Sequence, residues 1–158
     1  MAWADSRVFK QMLVDYFVRT STFVMDMDAD SFKAALYNNT ITPDNDVTAA
    51  NSAYNVGQWA TAQEVFQVGQ WAQGGVVLTS VVLNSASADI VFFDAADTAS
   101  GTNATLASVY GSQVYDDTVT VPVADQGMTY NYFGGTNSVT GGTFTIVWHV
   151  NGIWRATL

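Results

Sequence analysis

The chain has 158 residues, of which 49% are hydrophobic and only 12% are charged. This length suits one domain spanning residues 1–158, and the hydrophobic content is enough for a packed core, which excludes a disordered chain. The net charge of −9 excludes the basic surface that nucleic-acid binding needs, so we expect no nucleic-acid partner. Cysteine is absent, which excludes disulfides, a thiol nucleophile and a cysteine metal site.

Residues 1–22 have the pattern of an N-terminal amphipathic helix. Asp5 or Ser6 is suited to cap this helix, and residues 20–22 are suited to end it. Its apolar residues recur at the i, i+3, i+4 spacing of one helical face: Val8, Phe9, Met12, Leu13, Tyr16 and Phe17. No apolar run is long enough to span a bilayer, and the N-terminus lacks a signal-peptide pattern. We therefore expect neither membrane anchoring nor signal-peptide export.

Three alternating aspartates, Asp26, Asp28 and Asp30, follow the predicted helix. Several carboxylate oxygens on a short loop are what Ca²⁺ prefers, which makes these residues a calcium candidate. The glycine and the later glutamate of the usual calcium loop are not in register, however. The alternative is a turn in which the aspartate side chains accept backbone N–H groups.

Residues 31–158 have the pattern of a β-rich body. Residues 31–38 alternate in hydrophobicity and favour a strand over a short helix, and residues 48–54 suit a single helical turn. Further strands are predicted at residues 76–83, 89–94, 106–115 with a bulge at Gly111, 118–123 and 128–133. Short strands separated by turn residues predict a mainly β fold, either an antiparallel β-sandwich or a jelly-roll-like domain.

The C-terminal block is expected to contribute much of the core. Asn151-Gly152 separates two strand-like runs, 143–150 and 153–158, and is a strong signal for a two-residue type I′ hairpin. Residues 134–142 are rich in glycine, threonine and asparagine. We predict that they form a turn before the first of these strands.

Catalytic chemistry has little support in the sequence. His149 is the only histidine, it lies in a predicted strand, and no nucleophile-elbow sequence accompanies it. A glycan hydrolase that uses two carboxylates is a formal alternative. Its candidate residues are Glu64, Asp94, Asp97, Asp116 and Asp117, but aspartates are also typical of turns between strands. We therefore expect no enzymatic activity and no cofactor.

The pentapeptide Val-Gly-Gln-Trp-Ala occurs twice, at residues 56–60 and 68–72. Its tryptophans, Trp59 and Trp71, lie in glycine-flanked segments and could stack on sugar rings, pack under loops, or pack against a neighbouring subunit. We favour packing. With three apolar residues of the predicted helix, they make up the interface candidates: Phe9, Leu13, Phe17, Trp59 and Trp71.

Several runs of the chain carry a resemblance to a known family. They are AWADSRVFKQMLVDYF, DMDADSFKAALYNNTITPDNDV, ANSAYNVGQWATAQEV, VFFDAADTAS, LASVYGSQVYDD and PVADQGMTYNYFGGTNSVTGGTFTIVWHVNGIWRATL. Together they cover nearly the whole chain and resemble a family of small tailed-bacteriophage virion structural proteins. Relatives often read E-V-x-G-x-G-[WY] where residues 64–71 of this chain are EVFQVGQW, so we expect the geometry of this loop to differ.

The resemblance implies a structural, non-enzymatic role, with no active site to carry over. It leads us to expect a capsid decoration (cement) protein, bound to the outside of the phage head and oligomerising there, with a trimer favoured. Its partners would be copies of the chain itself and the major capsid protein or other virion proteins. The protein would be located in the virion, after assembly in the cytoplasm of the bacterial host.

The low share of charged residues suits a subunit that buries surface in an assembly. The alternative is a minor tail or head-fibre protein that binds a host receptor or a surface glycan. In that case Trp59 and Trp71 would be the binding residues.

Overall fold

The computed structural model describes residues 3–18, 25–87 and 89–157. The α-helices are α1 (Lys10–Val18) and α2 (Ala49–Ser52), and short 3-10 helices cover Gly57–Trp59 and Thr61–Gln63. The strands are β1 (Arg7–Val8), β2 (Phe32–Tyr37), β3 (Val76–Val77), β4 (Val82–Ser87), β5 (Ile90–Asp94), β6 (Thr98–Ala99), β7 (Ala104–Asp116), β8 (Gly127–Gly142), β9 (Thr145–Ile146) and β10 (Trp154–Thr157).

The strands of the described ranges form three sheets. The largest has the order β1-β8-β7-β2-β3, the second has the order β10-β5-β4, and the smallest pairs β6 with β9. Every neighbouring pair is antiparallel. The prediction of a mainly β, antiparallel fold is therefore confirmed. β2 lies inside the largest sheet and is almost entirely buried, which its apolar sequence FKAALY permits.

α1 is shorter than the predicted N-terminal helix. It begins at Lys10, because Arg7 and Val8 are extended and pair with Tyr130 and Thr129 of β8. The predicted beginning near Asp5 or Ser6 is therefore wrong. The predicted end, at residues 20–22, lies outside the described residues.

The inward face of α1 carries a carboxylate. Met12 and Asp15 are its buried residues, whereas Tyr16 and Phe17, which the pattern assigned to the apolar face, are exposed. Asp15 is held inward because its Oδ2 accepts a hydrogen bond from Nε2 of the buried Gln126 at 3.0 Å. The predicted amphipathic face is therefore wrong in the second half of the helix.

β7 and β8 form a long, irregular pair. β8 continues through residues 134–142, which were predicted as a turn. Between the pairs Gly111↔Tyr132 and Val109↔Asn137, β8 has four intervening residues against one on β7. Gly134, with a positive φ of 77°, lies in this excess backbone. The glycines therefore form a bulge within a strand, because the β7 ladder continues beyond them.

The register shift between Val109 and Gly111 places its extra residues on β8, so the bulge predicted in β7 at Gly111 is wrong. A Cβ atom at Gly111 would collide with the carbonyl oxygen of Asn131 and with the ring of Trp3. Glycine therefore allows β8 and the buried indole to approach the backbone of β7 at this point.

The predicted C-terminal hairpin is wrong. β9 pairs with β6 and β10 pairs with β5, so the strands on either side of Asn151-Gly152 belong to different sheets. The carbonyl of His149 accepts the N–H of Gly152 at 2.7 Å, and of the Asn-Gly pair only Gly152 has positive φ, at 90°. A type I′ turn needs positive φ at both residues.

Other local predictions have mixed outcomes. β2 and β5 confirm the strands at residues 31–38 and 89–94, and α2 confirms the helical turn within 48–54. α2 begins where it does because Thr48 Oγ1 accepts the N–H of Asn51 at 3.3 Å. The strand predicted at residues 76–83 is divided, because β3 pairs with β2 whereas β4 pairs with β5.

Residues 118–123 are not a strand. Asp116 ends β7, and its Oδ1 accepts the N–H groups of Thr118 at 2.8 Å and Val119 at 3.1 Å. These bonds turn the chain away from the sheet, because the side chain replaces the ladder partner of both N–H groups.

Aromatic side chains form the centre of the core. The ring centroid of Trp59 lies within 5.2–6.0 Å of four others, those of Trp3, Phe9, Tyr37 and Tyr130. Phe32 of β2 and Phe93 of β5 meet edge to face at 4.9 Å and join the two larger sheets. Such pairs add to the free energy gained from buried area.

Candidate functional site

Three of the five interface candidates lie in the core. Phe9, Trp59 and Trp71 have no exposed surface. Trp71 Nε1 donates to the carbonyl of Ala34 at 3.1 Å, and the hydroxyl of Tyr37 donates to the carbonyl of Trp59 at 2.8 Å. Packing, the interpretation we favoured, describes both tryptophans. The structure therefore corrects their assignment, and that of Phe9, as residues that contact a partner or a sugar.

α1 presents an apolar stripe to solvent. Val14, Phe17 and Val18 are 48%, 78% and 64% exposed, and their i, i+3, i+4 spacing places them on one helical face. We call these three residues the α1 stripe. Leu13 is half-buried against the core. Of the predicted interface candidates, Phe17 is therefore the one that lies fully at the surface.

The three aspartates of the calcium candidate bind backbone N–H groups. The N–H of Asp26 donates to Asp30 Oδ2 at 2.6 Å, and the N–H of Asp28 donates to Asp26 Oδ1 at 3.0 Å. Asp28 Oδ1 also accepts the N–H of Leu83 at 2.8 Å, which ties the loop to β4. Among the described residues, no group of three or more aspartate, glutamate or histidine side chains is arranged to hold a metal ion. The turn alternative describes this geometry.

Glu64, the chain's single glutamate, is a buried structural carboxylate. Its Oε2 accepts the hydroxyl of Tyr54 at 2.9 Å, and its Oε1 accepts the N–H of Gly74 at 2.7 Å. Burial raises the pKa of Glu64 above its ordinary value, against the opposing effect of these two donors. Both carboxylate oxygens thus hold neighbouring loops together.

Three of the four aspartates considered for glycan hydrolysis, Asp97, Asp116 and Asp117, also have structural contacts, whereas Oδ1 of Asp94 is buried without a hydrogen-bond partner among the described residues. Asp117 forms an ion pair with Lys33 at 2.7 Å, and Asp97 Oδ1 accepts the N–H of Trp148 at 3.1 Å. Asp116 is fully buried. Its burial, opposed by two backbone N–H bonds and reinforced by repulsion from Asp30, raises the pKa of Asp116 to about 7.

An open cleft of about 500 Å³ lies beside the turn at His149. It is lined by Ser6 from the N-terminal segment and by three C-terminal segments: residues 131–133 with Asn137 of β8, residues 144–149, and residues 152–153. Its aromatic residues are Tyr132, Phe133, Phe144 and Trp148, and its polar residues include Asn131, Asn137 and His149. A volume of roughly 300–1,000 Å³ and a mixed aromatic and polar lining are typical of ligand sites.

Three aromatic residues of the cleft are held in place by contacts with other side chains. Tyr132 is stacked on the buried Trp3 with centroids 6.4 Å apart, and Phe144 meets the buried Trp71 edge to face at 5.9 Å. Trp148 is fixed because its Nε1 donates to Thr98 Oγ1 at 3.0 Å. The lining is therefore preorganised, which lowers the entropic cost of binding.

A smaller depression of about 210 Å³ continues the cleft, since both are lined by Ser6, Asn131 and Ile153. Arg7 and Arg155 are among its other lining residues. Arg7 is paired with Asp5 at 2.7 Å, whereas Arg155 forms no ion pair within the described residues.

Sequence patterns do not predict this cleft, because its residues come together only when β8, residues 144–149 and the N-terminal segment pack. One sequence signal was available. Aromatic residues at 132, 133, 144 and 148 lie close in the chain to Asn131, Asn137 and the lone His149.

Comparisons with protein-family models, with curated proteins and with solved structures found no significant match to the chain. Within residues 3–18, 25–87 and 89–157, no helix combines the length and apolar character that a bilayer span requires.

Proposed function

We propose that the chain is a non-enzymatic structural component of a tailed-phage virion, a capsid decoration protein bound to the outside of the head. The α1 stripe is the observation that carries this proposal. Exposed apolar side chains on one helical face are typical of surfaces that bind a partner. The resemblance to virion proteins and the low share of charged residues support the same role.

In this proposal the α1 stripe is the anchor on the major capsid protein. Burying a phenylalanine side chain is worth about 1.5–3 kcal/mol, so Phe17 would supply a large part of the docking free energy. A protein that binds only the assembled shell stabilises that shell by mass action. Copies of the chain associate with one another on the head, and a trimer is the favoured assembly.

We further infer that the larger sheets pack face to face as a sandwich. The edge-to-face contact between Phe32 and Phe93 supports this arrangement, since the two rings come from different sheets. A rigid body of this kind would hold the α1 stripe in a fixed orientation toward the shell.

The first test is the copy number in purified particles of the phage that encodes the chain, measured by quantitative mass spectrometry against the major capsid protein. Hundreds of copies are expected for a decoration protein, and particles stripped of the chain should lose their contents at lower temperature. Absence from the particle, or equal heat lability with and without the chain, would contradict the proposal.

The second test is rebinding of purified protein to stripped particles, followed by cosedimentation. Phe17→Ser should weaken rebinding by roughly tenfold or more, since each tenfold corresponds to about 1.4 kcal/mol. Val68→Ser is the matched control, because Val68 is 86% exposed and lies outside α1. Both variants should keep the unfolding temperature of the unmodified chain. Rebinding of the Phe17 variant at full affinity would exclude the α1 stripe as the anchor.

The second candidate is a minor tail or head-fibre protein that binds a host receptor or a surface glycan. Trp59 and Trp71 do not favour it, because both are buried. The open cleft beside His149 does, since it is a preformed surface with exposed polar groups. A handful of copies per particle would favour this candidate over the decoration protein.

A further inference from the structure

We propose that the cleft and the depression that continues it form one groove, and that this groove binds an acidic oligosaccharide. The proposal concerns residues other than the α1 stripe. It deepens the second candidate function, which uses the same cleft, and it does not depend on attachment of the α1 stripe to a shell.

The aromatic wall of the groove suits pyranose rings. One face of a pyranose presents C–H groups that pack on an aromatic ring, and Tyr132 and Trp148 are held in place for such a contact. Both side chains are half-buried, which leaves part of each residue's surface accessible. A rigid aromatic residue loses little conformational entropy when a ligand binds.

The polar groups of the groove suit sugar hydroxyls, which both donate and accept. The Nδ2 groups of Asn131 and Asn137 donate to Thr129 Oγ1 at 3.2 Å and to the carbonyl of Gly135 at 3.0 Å. The hydrogen bonds of the described residues leave both Oδ1 atoms free to accept.

His149 adds a donor to the groove. Its Nδ1 accepts the N–H of Asn151 at 3.1 Å, so the neutral ring carries its proton on Nε2. The side chain is exposed, and Nε2–H is therefore available to a ligand oxygen.

The charges at the other end of the groove select an acidic sugar. Two of the five basic residues of a chain with net charge −9, Arg7 and Arg155, line this depression. Asp5 already neutralises Arg7. Arg155 has no acidic partner within the described residues, and a planar guanidinium matches a carboxylate with two hydrogen bonds.

The experiment that tests this groove is a titration of ¹⁵N-labelled protein with short oligosaccharides ending in glucuronic, galacturonic or sialic acid. Carboxyl-reduced forms of the same oligosaccharides serve as the neutral probes. The indole N–H groups of the five tryptophans report on location. Trp148 and Trp154 line the groove, whereas Trp3, Trp59 and Trp71 are buried away from solvent. The signals of the first two should shift, and those of the last three should stay in place.

Matched variants test the two ends of the groove. Trp148→Leu should weaken binding by roughly tenfold, and Phe66→Leu, an exposed aromatic outside the groove, should not change it. Arg155→Gln should weaken binding of the acidic probe about fivefold and remove its salt dependence, while Lys10→Gln should leave it unchanged. His149→Ala is a further variant at an exposed position, for the case in which the Trp148 variant does not fold.

Binding of an acidic probe with shifts confined to Trp148 and Trp154 supports the proposal. Equal affinity for the carboxyl-reduced probe would overturn the role of Arg155 and with it the selection of an acidic sugar. An absence of binding by every probe, or binding that is unaffected by the Trp148, Arg155 and His149 substitutions, would overturn the groove as the site.

Discussion

Replacing Asp116 by asparagine should make the protein more stable at neutral pH. Asp116 is fully buried at the end of β7, and its pKa is raised from 3.8 to about 7. The folded state therefore holds a proton that the unfolded state releases near pH 4. Between about pH 4 and about pH 7 the Asp116 carboxyl is mostly ionised in the unfolded chain and mostly protonated in the folded protein. The unfolding free energy must therefore fall as the pH rises through this range.

The magnitude follows from these values. The difference between 3.8 and about 7 corresponds to roughly 4 kcal/mol, at about 1.4 kcal/mol for each pH unit. Asparagine keeps an Oδ1 for the N–H groups of Thr118 and Val119 and carries no charge to repel Asp30. The Nδ2 group of asparagine would replace the buried Oδ2, which has no hydrogen-bond partner among the described residues, so part of this gain is lost. We therefore expect about 2 kcal/mol of stabilisation at pH 8 and almost none at pH 4.

The assay is urea unfolding followed by tryptophan fluorescence at a series of pH values between 4 and 8. The gap between Asp116→Asn and the unmodified protein should widen as the pH rises and level off above pH 7. Asp46→Asn is the control, because the Asp46 side chain is 73% exposed in a surface ion pair with Lys10 and should change stability little at any pH. A constant gap, or a variant less stable at pH 8, would refute the reasoning.

Two further substitutions test the core and the backbone by urea unfolding. Phe9→Ala should cost about 3–5 kcal/mol, since Phe9 is fully buried among aromatic rings, and a loss below about 1 kcal/mol would contradict its place in the core. Gly75→Ala should be strongly destabilising, because φ is 89° and a Cβ would collide with the backbone of Ala34. Gly69→Ala is its control, since φ is 78° but no atom lies within 4 Å, and it should cost only about 1 kcal/mol. Equal costs for the two glycine variants would exclude the collision with Ala34.

Local sequence patterns predicted an element correctly where pairing with a neighbouring strand did not override the local propensity. β2 and β5 were predicted because apolar, β-branched and aromatic residues fill short runs bounded by turn residues. Residues 134–142 were mispredicted because turn propensity is weak compared with a continuing ladder. β7 supplies hydrogen-bond partners as far as Gly142, so β8 continues through its glycines.

The candidate site was predictable only in part. Phe17 was proposed as an interface residue and is exposed, but Trp59 and Trp71 are buried. A tryptophan flanked by glycines has the same sequence pattern whether its loop folds over the core or projects into solvent, so the pattern does not predict its burial. The cleft beside His149 was not predicted, because it depends on segments that pairing brings together.

The sequence patterns predicted correctly that this protein is mainly β and that its aspartates are suited to turns, whereas the helix predicted over residues 1–22 was found only in part, at Lys10–Val18. These properties depend on residues adjacent in the chain. Three properties depend instead on tertiary packing: which strands pair, which face of α1 points outward, and where the cleft forms. Asp15 faces inward because Gln126, far along the chain, binds it there, and β9 and β10 separate because β6 and β5 offer each a partner. Such choices depend on contacts between distant residues, and local propensity does not encode them.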